Sequence, residues 1–414
     1  MMRILLVTNS MFPKLNEKLG IKQKISRGWA FSAANELIKQ QEVELAVSIL
    51  YNTEKVEEYD IDNVKYYTVP FGKSVMKYDT ILEKEFKEVE SRFKPDVVHI
   101  YGTEYPFTLA YLNACGPDKV VISIQGIPTI YSRYYLLGIS LWDRIKHPML
   151  FLQQYLFDKR NSYEVDALKK CKYFEGRSDW DHAISWSFSP NSKYFFCSRT
   201  LRPSFYEEKW DIKKIERHTI FLSQAEYSIK GLHQVIRALP IIRNIYPDVK
   251  VYVAGNSPYS NSNLKNIFKS LGYGKYIHSL AKKLKVEDHI VFVGNLDEYE
   301  MCEYYKRAHV FVCPSTIENV PNSVAEAQIL GTPCIASYVG GNNSLIREGE
   351  NGFLYRFEEY EMLAKYVCDI FESDELALKF SQNGREVALQ RHDKKTNVSN
   401  LMNMYNSIIN DNTL

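Results

Sequence analysis

Short apolar runs alternate with longer amphipathic stretches along almost the whole chain, and the alternation comes in two series. In the first half the runs are Ile4–Val7, Val43–Ile49, Val64–Val69, Val97–Ile100 and Val120–Ile124; in the second they are Thr219–Leu222, Val249–Ala254, Ile290–Val293, Val310–Cys313 and Cys334–Ala336. Runs this short and this rich in Val and Ile read as strands buried on both faces. Between them, stretches such as Trp29–Lys39, with Trp29, Ala33, Leu37 and Ile38 on one face, and Leu232–Leu239 follow helical spacing. The succession predicts an α/β chain of two doubly wound parallel sheets, each a Rossmann-like domain. The seam falls in Leu201–Glu216, where Arg202-Pro203-Ser204 leads into a charged stretch, so domains are expected over 1–210 and 211–396. Residues 397–414 carry Val398, Leu401, Met402, Tyr405 and Ile408 at helical spacing and are read as a terminal helix. Open parallel sheets bind ligands beyond the carboxyl ends of their strands, so two such domains facing each other would form a cleft lined by those loops.

Composition narrows the function classes. The 414 residues include 52 basic and 50 acidic side chains, a net charge of +2, which lacks the cationic surplus of a dedicated nucleic-acid binder. No run approaches the roughly 18–20 apolar residues of a membrane span, and Ile4–Val7 is too short for the core of a signal peptide. A cytoplasmic location is expected. The seven cysteines are scattered and never spaced Cys-x-x-Cys, which indicates neither a disulfide framework nor a zinc site. One segment breaks the alternation: Tyr131–Lys172 is rich in Tyr, Trp and Phe and holds eight Lys/Arg against four Asp/Glu. Two readings stay open for it, a surface helix pair meeting anionic lipid or a lipid-linked acceptor, and aromatics that close an ordinary helical subdomain.

The most informative stretch runs from Val310 to Ser337. A strand ends at Cys313, a loop carries Glu318, a helix opens with Pro321 as its first residue, Glu326 projects from the second turn, and Gly331 ends it. The opening turn offers backbone N–H groups and the positive end of the helix dipole, an arrangement that holds phosphate. Two carboxylates beside it suit sugar hydroxyls, donors that bind well to charged acceptors. Together they imply a ligand with both phosphate and sugar hydroxyls, a nucleotide sugar.

Glu318 and Glu326, set in this strand, loop and helix with Gly331-Thr332-Pro333, resemble the paired-glutamate signature of retaining glycosyltransferases of family 4, which have the GT-B fold. Ile317-Glu318-Asn319-Val320-Pro321-Asn322-Ser323, followed by Gly340-Gly341 and Asn351–Tyr355, is similar to bacterial members that build capsular or O-antigen polysaccharide. The resemblance implies that Glu318 contacts the donor sugar near the reacting carbon, Glu326 grips the ribose hydroxyls and Lys230 binds the departing diphosphate, with Gly28 in a glycine loop approaching it. Gly294, Asn295 and Leu296 would border the base, Asn319, Val320, Pro321, Asn322 and Ser323 would line the sugar and phosphates, and Gly255 joins the donor side by its position. Thr103, Glu104, Gln125 and Arg27 are candidates for the acceptor side or the cleft. The implied chemistry needs no metal and no cofactor beyond the nucleotide-sugar co-substrate, because a fixed cation and aligned N–H dipoles meet the charge of the leaving diphosphate. The implied partner is a glycan or lipid-linked acceptor at the inner face of the cell membrane, with peripheral contact to that surface and no nucleic acid.

The chain also departs from the family pattern. No arginine stands about five residues before Lys230, where Leu222–Glu226 offers no cation, and Arg27 and Arg199 are the candidate substitutes. Gln125 stands where many members carry histidine, and Arg27-Gly28 where paired glycines are usual. Rival readings are a GT-B nucleotide-sugar epimerase, an inactive nucleotide-sugar-binding subunit, and a two-lobed sugar-binding protein. His99 is expected to be structural, and Asp179-Trp180-Asp181, despite its likeness to an Asp-x-Asp metal motif, is read as acids at a helix start.

Overall fold

The computed structural model describes all residues other than 22–28, 72, 73, 75, 160, 258–269 and 412–414. The chain divides into two compact units: residues 1–129, 159–202 and 392–414 form the first, and residues 130–158 and 203–391 the second.

Among the described residues the first unit holds one eight-stranded sheet: β1 (Met2–Thr8), β2 (Val43–Tyr51), β3 (Glu57–Ile61), β4 (Val64–Pro70), β5 (Val97–Tyr101), β6 (Val120–Ser123), β7 (Tyr173–Gly176) and β8 (Lys193–Phe196), in the order β3-β4-β2-β1-β5-β6-β7-β8. Every pairing is parallel except β3 with β4. In β1, Leu6 lies between Val47 and His99. The five apolar runs expected here are all strands. Three strands gave no comparable signal, for separate reasons. β3 (Glu-Glu-Tyr-Asp-Ile) is a polar edge strand, a composition that discourages further pairing. β7 places Glu175 at a wholly buried position, and β8 is half exposed. The helix Lys394–Asp411 packs into this unit's core through Leu401, Met402, Tyr405 and Ile408. His99 is fully buried, and its Nδ1 lies 2.8 Å from the Tyr405 hydroxyl. The acids after β7 begin a helix, Asp179–Phe188, where Ser178 and Asp181 form a reciprocal cap.

The second unit holds a six-stranded parallel sheet: β9 (Thr219–Leu222), β10 (Lys250–Ala254), β11 (Ile290–Gly294), β12 (Val310–Cys313), β13 (Cys334–Ser337) and β14 (Phe353–Tyr355), in the order β11-β10-β9-β12-β13-β14. Numbered from β9, that order is 3-2-1-4-5-6, the dinucleotide-fold order, whose reversal point lies between β9 and β12.

Three sequence expectations change. The helix after β9 does not stop before Pro240 but runs Leu232–Ile245 through it, because the buried stripe of Val235, Ile236 and Leu239 continues at Ile242. Tertiary packing there outweighs the hydrogen bond that proline removes. The second unit begins at Pro203 rather than near residue 210, because Trp210 is already built into it: its amide donates to Leu330 O and its indole N–H to Ala308 O, both at 2.8 Å.

Tyr131–Lys172, expected to interrupt the first domain, is split: residues up to 158 group with the second unit and those from 159 with the first. The short helical turns of this segment leave carbonyls without helical successors. The second unit supplies their donors: Ser228 Oγ to Tyr135 O, His233 Nε2 to Leu137 O at 3.1 Å, and Arg237 to Gly138 O at 2.6 Å.

His233 makes this packing sensitive to acid. It is fully buried, with Nδ1 3.0 Å from the Tyr273 hydroxyl, and burial, helped by the Arg237 charge, pushes its pKa down to about 3. The unfolded chain protonates the same imidazole near pH 6.5, so its contribution is intact above that pH and is lost as pH falls toward 3. Between pH 7 and pH 4.5 the loss should be about 2–3 kcal/mol. Denaturant melts at the two pH values should show His233→Gln losing less than the parent over this interval; equal losses would exclude this histidine as the cause.

Candidate functional site

The reversal point of the second sheet determines which loops meet. β9 and β12 are hydrogen-bonded neighbours although a long stretch of chain separates them, so the loops leaving their carboxyl ends lie side by side. After β9 the chain forms a single turn, Ser228–Lys230, closed by Gly231 at φ 73°. A Cβ on Gly231 would lie 1.7 Å from Pro314 O, so only glycine lets this turn sit against the loop after β12. Thr316 N donates to Ile229 O at 2.8 Å and ties the two loops together.

Lys230 and Glu318 meet across that junction. Lys230 Nζ donates to Glu318 Oε1 at 2.6 Å, and Ser315 Oγ donates to the same oxygen at 2.8 Å. Their side chains are only 21% and 10% exposed. Burial alone would push the lysine pKa down, but the Glu318 carboxylate overrides it and holds the ammonium well above its ordinary range. Glu318 is itself fixed from behind: its carbonyl accepts from Gly341 N at 3.1 Å, and a Cβ on Gly340 would come within 1.7 Å of that carbonyl. The ammonium assigned to the diphosphate and the carboxylate assigned to the sugar are thus one ion pair, not two separate subsites.

The donor-side helix runs Asn322–Leu330 and ends at Gly331 in the left-handed conformation. Pro321 is not its first residue but precedes it, extended at ψ 123°, and its carbonyl accepts the first helical bonds from Val324 and Ala325. Pro321 has no N–H, so it contributes shape and no donor. The Asn319 amide donates to the Tyr131 hydroxyl at 2.8 Å, so this amide is committed within the unit rather than presented to a ligand. Val320 is buried; Asn322 and Ser323 supply the first-turn amides that precede the first intrahelical bond. Glu326 is 8% exposed on the second turn, with the Tyr305 hydroxyl 3.5 Å from Oε2 and donating better to Ser323 O at 3.1 Å.

The remaining donor-side candidates gather at the ends of β10 and β11. Gly255 N donates to Gly294 O at 2.8 Å, and both glycines have positive φ. Asn295 Nδ2 donates to Asn256 Oδ1 at 3.2 Å, and Leu296 follows directly. Asn256 in turn donates to Glu226 Oε1 through its amide at 3.1 Å and its side chain at 3.0 Å. Glu226 therefore occupies the region where the sequence lacked a cation, and it takes a neutral amide as partner.

In the first unit, Thr103, Glu104 and Gln125 lie at the ends of β5 and β6. Thr103 is corrected as a cleft contact: it is 2% exposed, and its hydroxyl turns inward to donate to Glu164. Glu164 also accepts from Thr129 N at 2.7 Å, so one buried carboxylate joins the loops after β5 and β6. Glu104 accepts from Gly126 N at 3.3 Å, and Gln125 Nε2 donates to Ser123 Oγ at 3.0 Å. Arg199 is buried in this unit, its guanidinium pushed down to about 9 by burial and by the neighbouring Arg177 charge. Gly28 and Arg27 lie outside the described residues. Among the described residues no group of three or more His, Cys, Asp or Glu is placed to hold a metal ion.

Sequence reasoning missed Ser315, Tyr131, Tyr305, Glu226 and Glu164. Ser315 alone carried a local signal, three residues before Glu318. The others act across long sequence separations.

Residues 204–387 match the family model described as glycosyl transferases group 1. That stretch, under half of the chain, is what is similar to the family. The matched stretch contains both members of the ion pair and every donor-side candidate except Gly28. Over 179 residues, 43% of this chain, it is 30% identical to spore coat protein SA of Bacillus subtilis. That alignment covers 45% of the relative, and the chain spans under half the length of the curated relatives it first matches. The fold extends further. Sucrose-phosphate synthase from Thermosynechococcus elongatus superposes with a TM-score of 0.74 at 15% identity, over 99% of this chain and 100% of that one. HepE from Anabaena, solved with UDP-glucose, superposes with a TM-score of 0.65 at 15% identity, over 98% and 100%. The fold is GT-B, and the stretch that matches the group 1 model lies in its second unit.

Two measurements check the electrostatics. Lys230→Met strands the Glu318 charge in a mostly buried position and should cost about 2 kcal/mol, of which Lys230→Met/Glu318→Gln should regain about half. Additive losses in denaturant melts of the single and double variants would show that the pair does not couple.

Glu164 acts in the opposite direction with pH. Burial raises its pKa to about 7, while the unfolded chain ionises it near 4.5, so its contribution falls as pH rises between those values. The loss should reach about 3 kcal/mol. Glu164→Gln has no such slope, so its melting temperature relative to the parent should improve from pH 5 to pH 8; a constant gap would contradict the assignment.

Proposed function

We propose that the chain is a retaining glycosyltransferase of family 4 that moves a hexose from a nucleotide-diphosphate donor to a growing, lipid-linked glycan in surface polysaccharide synthesis. The observation that carries this reading is the Lys230–Glu318 pair at the strand-order reversal of the unit that matches the group 1 model. When the glycosidic bond to the donor breaks, negative charge accumulates on the diphosphate. A cation already fixed at the end of β9 meets that charge without reorganising, and the first-turn amides of Asn322–Leu330 add aligned dipoles.

Glu318 serves this step twice. Its bond to Nζ aims the ammonium and leaves two N–H donors for phosphate oxygens, and its second carboxylate oxygen is available to the sugar beside the reacting carbon. Glu326 reads the ribose hydroxyls, and the turns at Gly255 and Gly294–Leu296 border the base. The likeness to HepE, solved with UDP-glucose, supports a uridine nucleotide as the first donor to try. In this reading Lys230 is the charge stabiliser, no resident metal is required, and the reaction takes place at the cytoplasmic face of the membrane. No helix among the described residues is long and apolar enough to cross a membrane.

The test is a thermal-shift screen of nucleotide diphosphate sugars followed by turnover assays with the donor that binds. A true donor at 100 times its Kd should add about 2.7 kcal/mol of stability. Glu318→Gln and Lys230→Ala should each lower turnover about 10²–10³-fold with the fold retained. Undiminished turnover in either variant would remove that residue from the mechanism, and a screen in which no nucleotide sugar stabilises the protein would overturn the donor class.

A further inference from the structure

Residues 130–158 bury Ile130, Tyr135, Leu136, Ile139 and Leu150 but present a second set of apolar side chains to solvent. The helix Leu141–Lys146 exposes Trp142 at 74% and Ile145 at 54%, and the helix Met149–Asp158 exposes Phe151, Leu152, Tyr155 and Leu156. The last four recur at i, i+1, i+4 and i+5, so they form one stripe on one face. The opposite side packs inward: Leu150 is fully buried, Phe157 meets the Tyr135 ring, Gln153 accepts from Tyr273 N at 3.2 Å, and Gln154 donates to Ser132 O at 3.4 Å. Apolar side chains thus line both faces of this helix, Leu150 inward and the stripe outward in water, where a helix packed on a water-soluble core would be polar.

We propose that this face docks the second unit onto an anionic lipid bilayer. Three features select lipid over a second copy of the chain. The charge around the stripe is positive: Arg133 and Lys146 are exposed, and Arg144 spends its guanidinium on the carbonyls of Leu136 and Ile139. Lys275 adds its charge beside His147; against these cations stand Asp143, engaged by Ser140, and Asp158 at the end of the second helix. A two-fold dimer would bring these cations against themselves, whereas acidic headgroups complement them. Trp and Tyr beside aliphatic side chains suit the headgroup boundary. Helices of 6 and 10 residues are too short to span and are suited to lie in the plane of the interface.

The same segment is tied to the donor loops, since Tyr131 accepts from Asn319 N and Tyr135 O accepts from Ser228. Docking it holds the Lys230 and Glu318 loops close to the bilayer. The docking surface follows from the patch and its charge; only its purpose, meeting a lipid-linked acceptor, rests on the function proposed above.

Co-sedimentation of the full chain with vesicles tests the proposal. Binding is expected to phosphatidylcholine vesicles containing about 30% phosphatidylglycerol, to weaken at about 0.5 M salt, and to be weaker still to phosphatidylcholine alone. Trp142→Ser/Ile145→Ser/Tyr155→Ser should lower vesicle affinity about tenfold or more with an unchanged melting temperature, since the three side chains are exposed. Arg133→Glu/Lys146→Glu should remove the preference for the acidic lipid. A parent that stays in the supernatant, a triple variant that binds like the parent, or a parent dimer that the triple variant converts to monomer would each overturn it. Nucleotide-sugar thermal shifts on the same preparations separate the two proposals: vesicle binding without any nucleotide response sustains the docking surface and defeats the donor assignment.

Discussion

The candidate site depends on one contact between opposite charges carried by loops far apart in the chain. Lys230 follows β9 and Glu318 follows β12, and their contact exists only because the sheet order reverses between those two strands. Burial alone would drive the lysine toward its neutral form. The Glu318 carboxylate overrides that, which keeps a cation fixed where a phosphate-bearing ligand would need one. Gly231 and Gly340 are the steric conditions for that pairing, since a side chain at either would collide with a backbone carbonyl of the facing loop.

The first unit uses buried charge differently. Glu164 accepts from the Thr103 hydroxyl and the Thr129 amide, and burial outweighs those bonds and raises its pKa. Glu175 is as deeply buried, and burial alone would raise its pKa too, yet it stays below the ordinary carboxylate range because His99 and the Arg199 charge offset the penalty. His99 in turn contacts Tyr405 on the final helix. The polar cluster therefore ties the centre of the first sheet to the end of the chain.

Much of this was legible from the sequence, and what was not has identifiable causes. The ten apolar runs appear as strands because short stretches rich in Val and Ile leave a local signature that no neighbour needs to complete. β3 and β7 carry no such signature: one is a polar edge, and the other buries a glutamate that His99 and Arg199, both distant in sequence, make tolerable. Thr103 looked like a ligand contact because a polar residue after a strand end usually faces solvent, and no local pattern announces Glu164 as its partner. The helix through Pro240 shows the same limit, since the apolar surface that keeps Ile242 buried belongs to other elements.

By itself the sequence determined the alternation of strands and helices, the parallel class of both sheets, and the positions of Glu318, Glu326 and Lys230 relative to strand ends, because each depends on local periodicity, turn chemistry or spacing. Only the tertiary structure decided that Lys230 and Glu318 share a hydrogen bond, that Tyr131 occupies the Asn319 amide, and that residues 130–158 belong with the second unit while their apolar stripe stays in water. Those outcomes depend on strand order and on the pairing of buried polar groups across long separations. These are properties of the assembled chain, which no window of residues contains.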